Sequence, residues 1–318
     1  MRKKLGSFLI AALIVFLLPC NCYAASSKES EETIHPMGAI PDKMVIDDPI
    51  YNPSTSNNRG IVRSVNLPSK YDAREYGLVT SVKDQGSFGS CWAFASTAAM
   101  ESSLIKSGLA DSTIDLSELH MIYFMYSENI DEKNRISDDR NYVSDDDMNT
   151  PTTDFTLMSN AGGSLRKVGW QMTNGVIPYE DNGDDYNACV ANSNYKISQS
   201  KCFSDEYCVK NVAMCNFNEE NIDNVKKLIY DHGGVVADFY CDQTTTTSGE
   251  SKYFNYVDGT KTYYCPNGSN NSITHAIEVI GWDDDYPKEN FKIAPAENGA
   301  WLVKNSWGKN SKHDGYIS

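Results

Sequence analysis

Cys91 is the first residue of this chain whose setting suggests chemistry. Residues 86–90 read Gly-Ser-Phe-Gly-Ser, and residues 92–109 form an alanine-rich run that predicts a helix. The dipole and free amides at a helix N-terminus favour a thiolate, which is the nucleophilic form of cysteine. Cys91 is therefore a candidate nucleophile. Taken alone, a buried structural cysteine explains it equally well.

Gln85 lies six residues before Cys91 and adds a second element of the same site. Its side-chain NH2 and the backbone N–H of Cys91 can point at one carbonyl oxygen. Such a pair of donors would form an oxyanion hole.

His275 is the candidate general base. It opens a β-branched stretch, residues 273–282, that predicts a strand, and its position at the start lets the ring face a cleft. A neutral imidazole can accept a thiol proton, and the resulting cation can pair with the thiolate. A lone histidine is more often structural, and we interpret the remaining four in that way: His35, His120, His232 and His313.

Asn305 leaves a second apolar strand, predicted within residues 299–308. Its side-chain carbonyl can accept a hydrogen bond from the imidazole and fix the orientation of the ring. Trp307 can cover that hydrogen bond and exclude water. The alternative is an ordinary turn asparagine.

These motifs together resemble the papain-like cysteine peptidase family. Residues 85–94 (Gln-Gly-Ser-Phe-Gly-Ser-Cys-Trp-Ala-Phe) are similar to its nucleophile motif. Residues 274–276 and 304–308 are similar to its His and Asn motifs, in the same chain order. Residues 67–74 resemble the start of a mature enzyme, and residues 162–163 resemble paired glycines that bind substrate backbone.

The resemblance implies a role for each motif residue. Cys91 would be the nucleophile, His275 the base, Asn305 the group that orients the base, and Gln85 the oxyanion donor. It also implies an α+β, papain-like two-domain fold. A helical left domain and a β-barrel-like right domain would enclose the active-site cleft between them.

By the same resemblance, six residues would contact the substrate: Gly162, Gly163, Ile273, Ala276, Asp238 and Trp307. Asp238 stands where the family has a small or apolar residue in the wall of the pocket for the second residue before the cut. A partly buried carboxylate there would favour Lys or Arg in the substrate. The alternative is an aspartate that points to solvent.

Three departures from the family pattern lead to expectations. Phe88 and Asn160 replace both halves of a disulfide found in many relatives, and we expect packing or hydrogen bonding instead. Residues 128–154 form an acidic insertion, which we interpret as a solvated surface segment rather than a calcium site. The chain ends two residues after Tyr316, where relatives continue, so we expect either a fragment or a differently closed barrel.

The N-terminal residues predict export. Residues 1–24 have a basic start, a 14-residue apolar run and a small-residue end, as in a secretory signal peptide; an uncleaved anchor is the alternative. Residues 25–66 are polar and proline-rich, and we interpret them as a pro-segment or tether, or else as an arm packed on the domain. Residues 67–318 would be the peptidase domain, and the protein would be secreted or associated with the cell surface.

Nine cysteines fit an exported chain. Two lie in the signal peptide and one is the candidate nucleophile. The remaining six allow three disulfides, and we expect Cys241 to pair with Cys265. A tetra-cysteine zinc site is disfavoured because no CxxC pair is present.

Charge and composition narrow the partners. With 28 basic and 43 acidic residues the net charge is −15, which disfavours nucleic acid. We expect a monomer that acts on protein or peptide substrates, with no metal or cofactor and no membrane span once the signal peptide is removed. The alternative functions are a secreted cell-wall amidase and a catalytically silent papain-like binding protein.

Overall fold

The computed structural model describes residues 14–15, 36–39, 66–126, 153–173, 175–179, 183–203, 207, 209, 212–214, 222–243, 251–266, 273–309 and 314–318. The helices are α1 (Cys91–Lys106), α2 (Glu118–Tyr126), α3 (Phe155–Asn160), α4 (Leu165–Thr173), α5 (Tyr186–Val190) and α6 (Ile222–His232). The strands are β1 (Ile14–Val15), β2 (Lys70–Asp72), β3 (Val212–Ala213), β4 (Val235–Phe239), β5 (Phe254–Val257), β6 (Thr260–Tyr263), β7 (His275–Asp283), β8 (Ala300–Lys304) and β9 (Tyr316–Ile317). This arrangement confirms the α+β fold.

Helix α1 is the centre of the helical part. Its residues 91–104 are all buried, and most of the helices that follow pack around it in one hydrophobic core. A helix buried on all sides needs small or apolar residues all round, which the alanine-rich sequence supplies.

Helix α1 ends three residues earlier than the predicted run. Gly108 has φ +73°, its N–H donates to the Ile105 carbonyl, and the Leu109 N–H donates to the Leu104 carbonyl. This pair of bonds is the Schellman motif, which terminates a helix at a left-handed glycine.

A seven-stranded sheet forms the second part, in the order β2-β7-β8-β9-β6-β5, with β4 also paired to β7. Strand β7 is the longest and lies between β8 on one side and β4 and β2 on the other. A second hydrophobic core is formed by side chains of this sheet and of the elements packed on it, and it includes Ile277, Val279 and Trp282 of β7. Ala276 belongs instead to the first core, so β7 lies at the boundary between the two parts.

Strands β1 and β3 form a separate two-stranded ladder. Because β1 lies in the predicted signal peptide, this ladder would exist only before cleavage. In the part of the chain that the structure describes, no helix is long and apolar enough to cross a membrane.

The expected Cys241–Cys265 disulfide is wrong for this structure, because both cysteines are free thiols. The Tyr263 hydroxyl joins the two segments instead: it donates to the Tyr240 carbonyl and accepts from the Asp242 N–H, each at 2.9 Å. The two sulfurs pack as apolar groups of the second core. Cys208 and Cys215 lie outside the described residues.

Candidate active site

Cys91 is the first residue of α1, as the sequence predicts, and it is fully buried. Its Sγ accepts a hydrogen bond from the backbone N–H of Ala276 at 3.5 Å. Because Ala276 directly follows His275, this contact brings the start of α1 against the start of β7. The two candidate catalytic residues thus come from different halves of the fold.

His275 and Asn305 are in direct contact. The imidazole Nε2 lies 2.8 Å from the Asn305 Oδ1, and because that oxygen can only accept, Nε2 carries the hydrogen. Trp307 stacks on the imidazole at 4.8 Å between ring centroids, with 25° between the planes. The ring orientation is therefore fixed from two sides.

Gln85 is held by the segment that carries Asn305. Its backbone N–H donates to the Ser306 carbonyl at 2.8 Å, and the Ser306 hydroxyl donates to Gln85 Oε1 at 2.6 Å. The Oε1 contact fixes which way the amide points. Nε2 then donates to the carbonyls of Phe88, at 2.8 Å, and Pro36, at 3.1 Å.

Residues 36–39 run through this site. Besides the contact between Pro36 and Gln85, Gly163 donates its N–H to the Gly38 carbonyl at 2.7 Å. Ala39 donates to the Thr274 carbonyl at 3.2 Å and pairs with Gly163 in parallel. The Gly38 backbone N–H also hydrogen-bonds the Cys91 thiol. Residues 36–39, which belong to the predicted pro-segment or tether, therefore lie against the candidate nucleophile.

Only glycine fits at position 38. A Cβ built there would lie 1.8 Å from the Gly89 carbonyl oxygen, far inside van der Waals contact. The clash is with backbone, so a side chain could not move aside. The close approach of residues 36–39 to the loop before Cys91 therefore depends on Gly38.

Burial of Cys91 favours the neutral thiol in this state and opposes the effect of the helix N-terminus, which favours the thiolate. Burial raises its pKa to about 11, and the amides of Ala276 and Gly38 lower it only in part. The nearby charge of Asp238 raises the pKa further. Burial of the thiol thus outweighs the helix dipole.

The structure describes three other predicted substrate-binding residues. Gly162 has φ +76° and accepts a hydrogen bond from the Tyr126 hydroxyl through its carbonyl. A Cβ on Gly163 would lie 2.3 Å from the Trp92 ring. Ile273 is half-buried just before β7.

Asp238 does not point to solvent, since it is only 3% exposed and lies opposite Ala276. Val236, two residues before it on β4, belongs to the first core, whereas Ala237 belongs to the second. Alternation along the strand therefore places Asp238 on the face toward α1.

The expected replacement of the family disulfide is confirmed. Asn160 Oδ1 accepts a hydrogen bond from the Gly89 N–H at 3.4 Å. Phe88 packs edge-on against Tyr186, with 6.5 Å between ring centroids. A polar and an aromatic contact thus hold the loop before Cys91. The acidic insertion, apart from residues 153–154, lies outside the described residues.

A buried cluster of charges behind the cleft was missed in the sequence. Lys83 Nζ contacts Glu101 at 3.0 Å and Glu118 at 2.8 Å, and it also pairs with Asp115. Burial opposes the charge of Lys83, but the carboxylates hold its pKa well above the ordinary value. Acidic residues within the otherwise apolar α1 and α2 were the available signal.

Comparisons with known proteins agree with this geometry. The model of the family described as papain family cysteine protease matches residues 67–318. A probable cysteine protease, RD19B, from Arabidopsis thaliana is 26% identical over 267 residues, which cover 83% of this chain and 61% of the relative. Procathepsin L from Rattus norvegicus is 26% identical over 252 residues, covering 79% of this chain and 60% of the relative. The chain thus spans about three fifths of these relatives.

Solved structures agree as well. The clostridial cysteine protease Cwp84, after propeptide cleavage, has a TM-score of 0.56 and 28% identity, covering 79% of this chain and 54% of that one. Digestive procathepsin L2 from Tenebrio molitor has a TM-score of 0.50 at 21% identity, covering 80% and 63%, and supports the fold alone. With its match over residues 67–318, the chain belongs to the papain family of cysteine proteases.

Proposed function

We propose that this protein is a secreted cysteine endopeptidase that hydrolyses peptide bonds through Cys91 and His275. The observation that carries the proposal is the 2.8 Å contact between His275 Nε2 and Asn305, beside a cysteine at the start of α1. This contact leaves Nδ1 of the imidazole as the nitrogen that accepts the thiol proton.

The reaction takes two steps. His275 accepts the thiol proton, and Cys91 Sγ attacks the peptide carbonyl carbon to form a tetrahedral intermediate. The carbon–nitrogen bond then breaks as the leaving amine takes the proton from His275, which leaves a thioester on Cys91. Water gives a proton to His275 and attacks the thioester, and the proton returns to the sulfur as the acid departs.

Gln85 and the backbone N–H of Cys91 would stabilise the negative oxygen of each intermediate. The hydrogen bond from Ser306 to Oε1 turns the Gln85 NH2 toward the position that the Pro36 carbonyl occupies. Asn305 would hold the imidazole in one tautomer without adding charge.

The direct test is Cys91→Ala in activated protein, with Cys241→Ala as the matched control because both thiols are buried. Cys91→Ala should abolish peptide cleavage and labelling by a thiol-reactive peptide epoxide, whereas the control should retain both. Residual cleavage by Cys91→Ala would contradict the mechanism. Cleavage of cell-wall amides alone would instead favour the amidase, and specific peptide binding without cleavage would favour the silent binding protein.

Residues 25–66 act, on this proposal, as an inhibitory pro-segment. The Gly38 N–H hydrogen-bonds the Cys91 thiol, while Gln85 is occupied by the Pro36 carbonyl. Residues 36–39 therefore occupy both the thiol and the proposed oxyanion donor, which would block the site. N-terminal sequencing of active enzyme should give a start beyond Ala39. An active form that begins near Ala25 would contradict this role.

Secretion is supported by the signal-like residues 1–24. A similar solved structure is described as a surface layer associated protein of Clostridium difficile. Sequencing of exported protein should place the first residue at Ala25, and a cytoplasmic chain that starts at Met1 would contradict secretion.

Asp238 gives the proposed specificity. Its buried carboxylate lies on the wall near Cys91 and would favour Lys or Arg at the second position before the cut. A peptide library should show that preference, and Asp238→Asn should remove it. A library without a basic preference would refute this part and leave the catalytic mechanism intact.

A further inference from the structure

Glu278 is a fully buried carboxylate that the cysteine-peptidase chemistry does not use. It lies three residues after His275 on β7 and directly opposite Lys304 on β8, the residue before Asn305. Its Oε1 accepts a hydrogen bond from the Ser102 hydroxyl of α1 at 2.6 Å. Glu278 thus links β7, which carries His275, to α1, which begins at Cys91, and to β8, which ends one residue before Asn305.

The residues around Glu278 leave space for its carboxylate and hold it in place. A Cβ on Gly234, the residue before β4, would lie 2.2 Å from Glu278 Oε1. The absence of a side chain at position 234 therefore makes room for the carboxylate. The Ser102 hydroxyl fills one end of that space and fixes the position of Oε1.

The pair formed by Glu278 and Lys304 is loose. Lys304 Nζ lies 4.0 Å from Glu278 Oε2, an atom that has no hydrogen-bond partner among the described residues. Lys304 instead donates to the Thr80 hydroxyl at 2.7 Å, and that hydroxyl donates to Glu101. With Glu278 uncharged, Lys304 would keep its hydrogen bond to Thr80 and its attraction to Glu101 but lose its ion pair on β7.

We propose that ionised Glu278 is a positioning residue that, through Lys304 and Ser102, sets the placement of Asn305 and His275 relative to Cys91. The inference rests on the proposed function. Among the described residues, the titratable groups that face Glu278 are Lys304 on β8, Glu101 on α1 and the Tyr316 hydroxyl on β9. On α1 the neutral Ser102 completes the set.

The pKa of Glu278 lies near neutral pH. Burial raises its pKa to about 7, whereas Lys304 and the Ser102 hydrogen bond lower it in part. Because the folded state retains this proton to higher pH than the unfolded chain, stability should fall as pH rises from about 4.5 to about 7. Activity should rise over the upper part of that range as the ion pair forms.

The test compares Glu278→Gln with Glu118→Gln in activated enzyme. Glu118 is a matched control because it is buried, its pKa is also raised to about 7, and it accepts a hydroxyl hydrogen bond from α1, from Thr97. It lies on α2, which carries no proposed catalytic residue. A merely structural role would therefore give the same result for both variants.

Glu278→Gln should have kcat near the wild-type value at pH 5.5 and roughly tenfold lower at pH 8, with KM unchanged. Glu118→Gln should keep the wild-type pH profile. Thermal unfolding of both variants should lose part of its pH dependence. A wild-type kcat profile in Glu278→Gln, or the same altered profile in both variants, would overturn the proposal.

Ser102→Ala keeps the test usable if Glu278→Gln does not fold. Loss of the hydroxyl should raise the pKa of Glu278 and move the acid limb of kcat to higher pH. An unmoved limb would overturn the proposal. If wild-type protein cleaves no peptide, the proposed function fails, and the rate of Cys91 alkylation by iodoacetamide at each pH tests Glu278 separately.

Discussion

The contact between α1 and β7 has two ends with different chemistry. At the front, Cys91 meets Ala276 through one weak hydrogen bond, and burial raises the pKa of the thiol. At the back, further along α1, two carboxylates (Glu101 and Glu278) are buried together with two lysines (Lys83 and Lys304). The front is closed by neutral backbone contacts from residues 36–39, whereas the back contains no part of that segment.

This difference indicates which end of the contact between α1 and β7 can change. Hydrogen bonds from a peptide segment can be replaced by those of a substrate at little net cost, because donors and acceptors are conserved in the exchange. Removing the partner of a buried charge costs much more free energy. The back therefore holds the two parts of the fold together, while the front exchanges one peptide for another.

Lys83→Met, at the back of the contact, should have the largest effect on stability. It leaves Glu101, Glu118 and Asp115 without their shared cation, which should lower the free energy of unfolding by about 3–5 kcal/mol. Urea unfolding measures this. Lys70→Met is the control, since its pair with Asp283 is exposed and should be worth about 0–1 kcal/mol. Equal effects would show that the buried cluster contributes no more to stability than the exposed ion pair.

Gln85→Ala should come next, at the front. Removal of one oxyanion donor should lower kcat by roughly 10²–10³-fold. Loss of the buried hydrogen bonds to Ser306 and Phe88 should also lower the free energy of unfolding by about 1–3 kcal/mol. Gln171→Ala is the control, because Gln171 is also a buried glutamine whose Nε2 donates to a backbone carbonyl, that of Phe124. A drop below about tenfold for Gln85→Ala would remove its assigned role.

The sequence predicted the front much better than the back. The motifs around Cys91, His275 and Asn305 carry their chemistry in short stretches whose spacing is visible, and the family and the α+β fold were predicted from them. Asn160 and Phe88 were also anticipated, because two linked departures from one pattern imply one replacement.

The back could not be predicted in the same way. Glu278 and Lys304 are 26 residues apart, and only the β7–β8 register makes them neighbours. The helical propensity of α1 gave no hint that Glu101 and Ser102 would face buried charges. The Cys241–Cys265 expectation failed because loop composition does not reveal that Tyr263 already joins the two segments.

Gly38→Ala should have a smaller effect, confined to the unprocessed chain. The clash with the Gly89 carbonyl should weaken the seating of residues 36–39 by about 1–3 kcal/mol, so Cys91 should be labelled by a peptide epoxide roughly tenfold faster or more. Ala39→Gly is the control, since it adds no atom and keeps the N–H that contacts Thr274. Equal labelling rates in both variants would indicate that Gly38 does not seat the segment.

The most direct test of the account is the pH dependence of Cys91 alkylation by iodoacetamide before and after residues 25–66 are removed. In the unprocessed chain the rate should rise only toward the pKa of about 11. After removal, exposure to solvent and pairing with His275 should move the midpoint acidic by several pH units. An identical midpoint in both forms would contradict the claim that the segment holds the nucleophile in its neutral form.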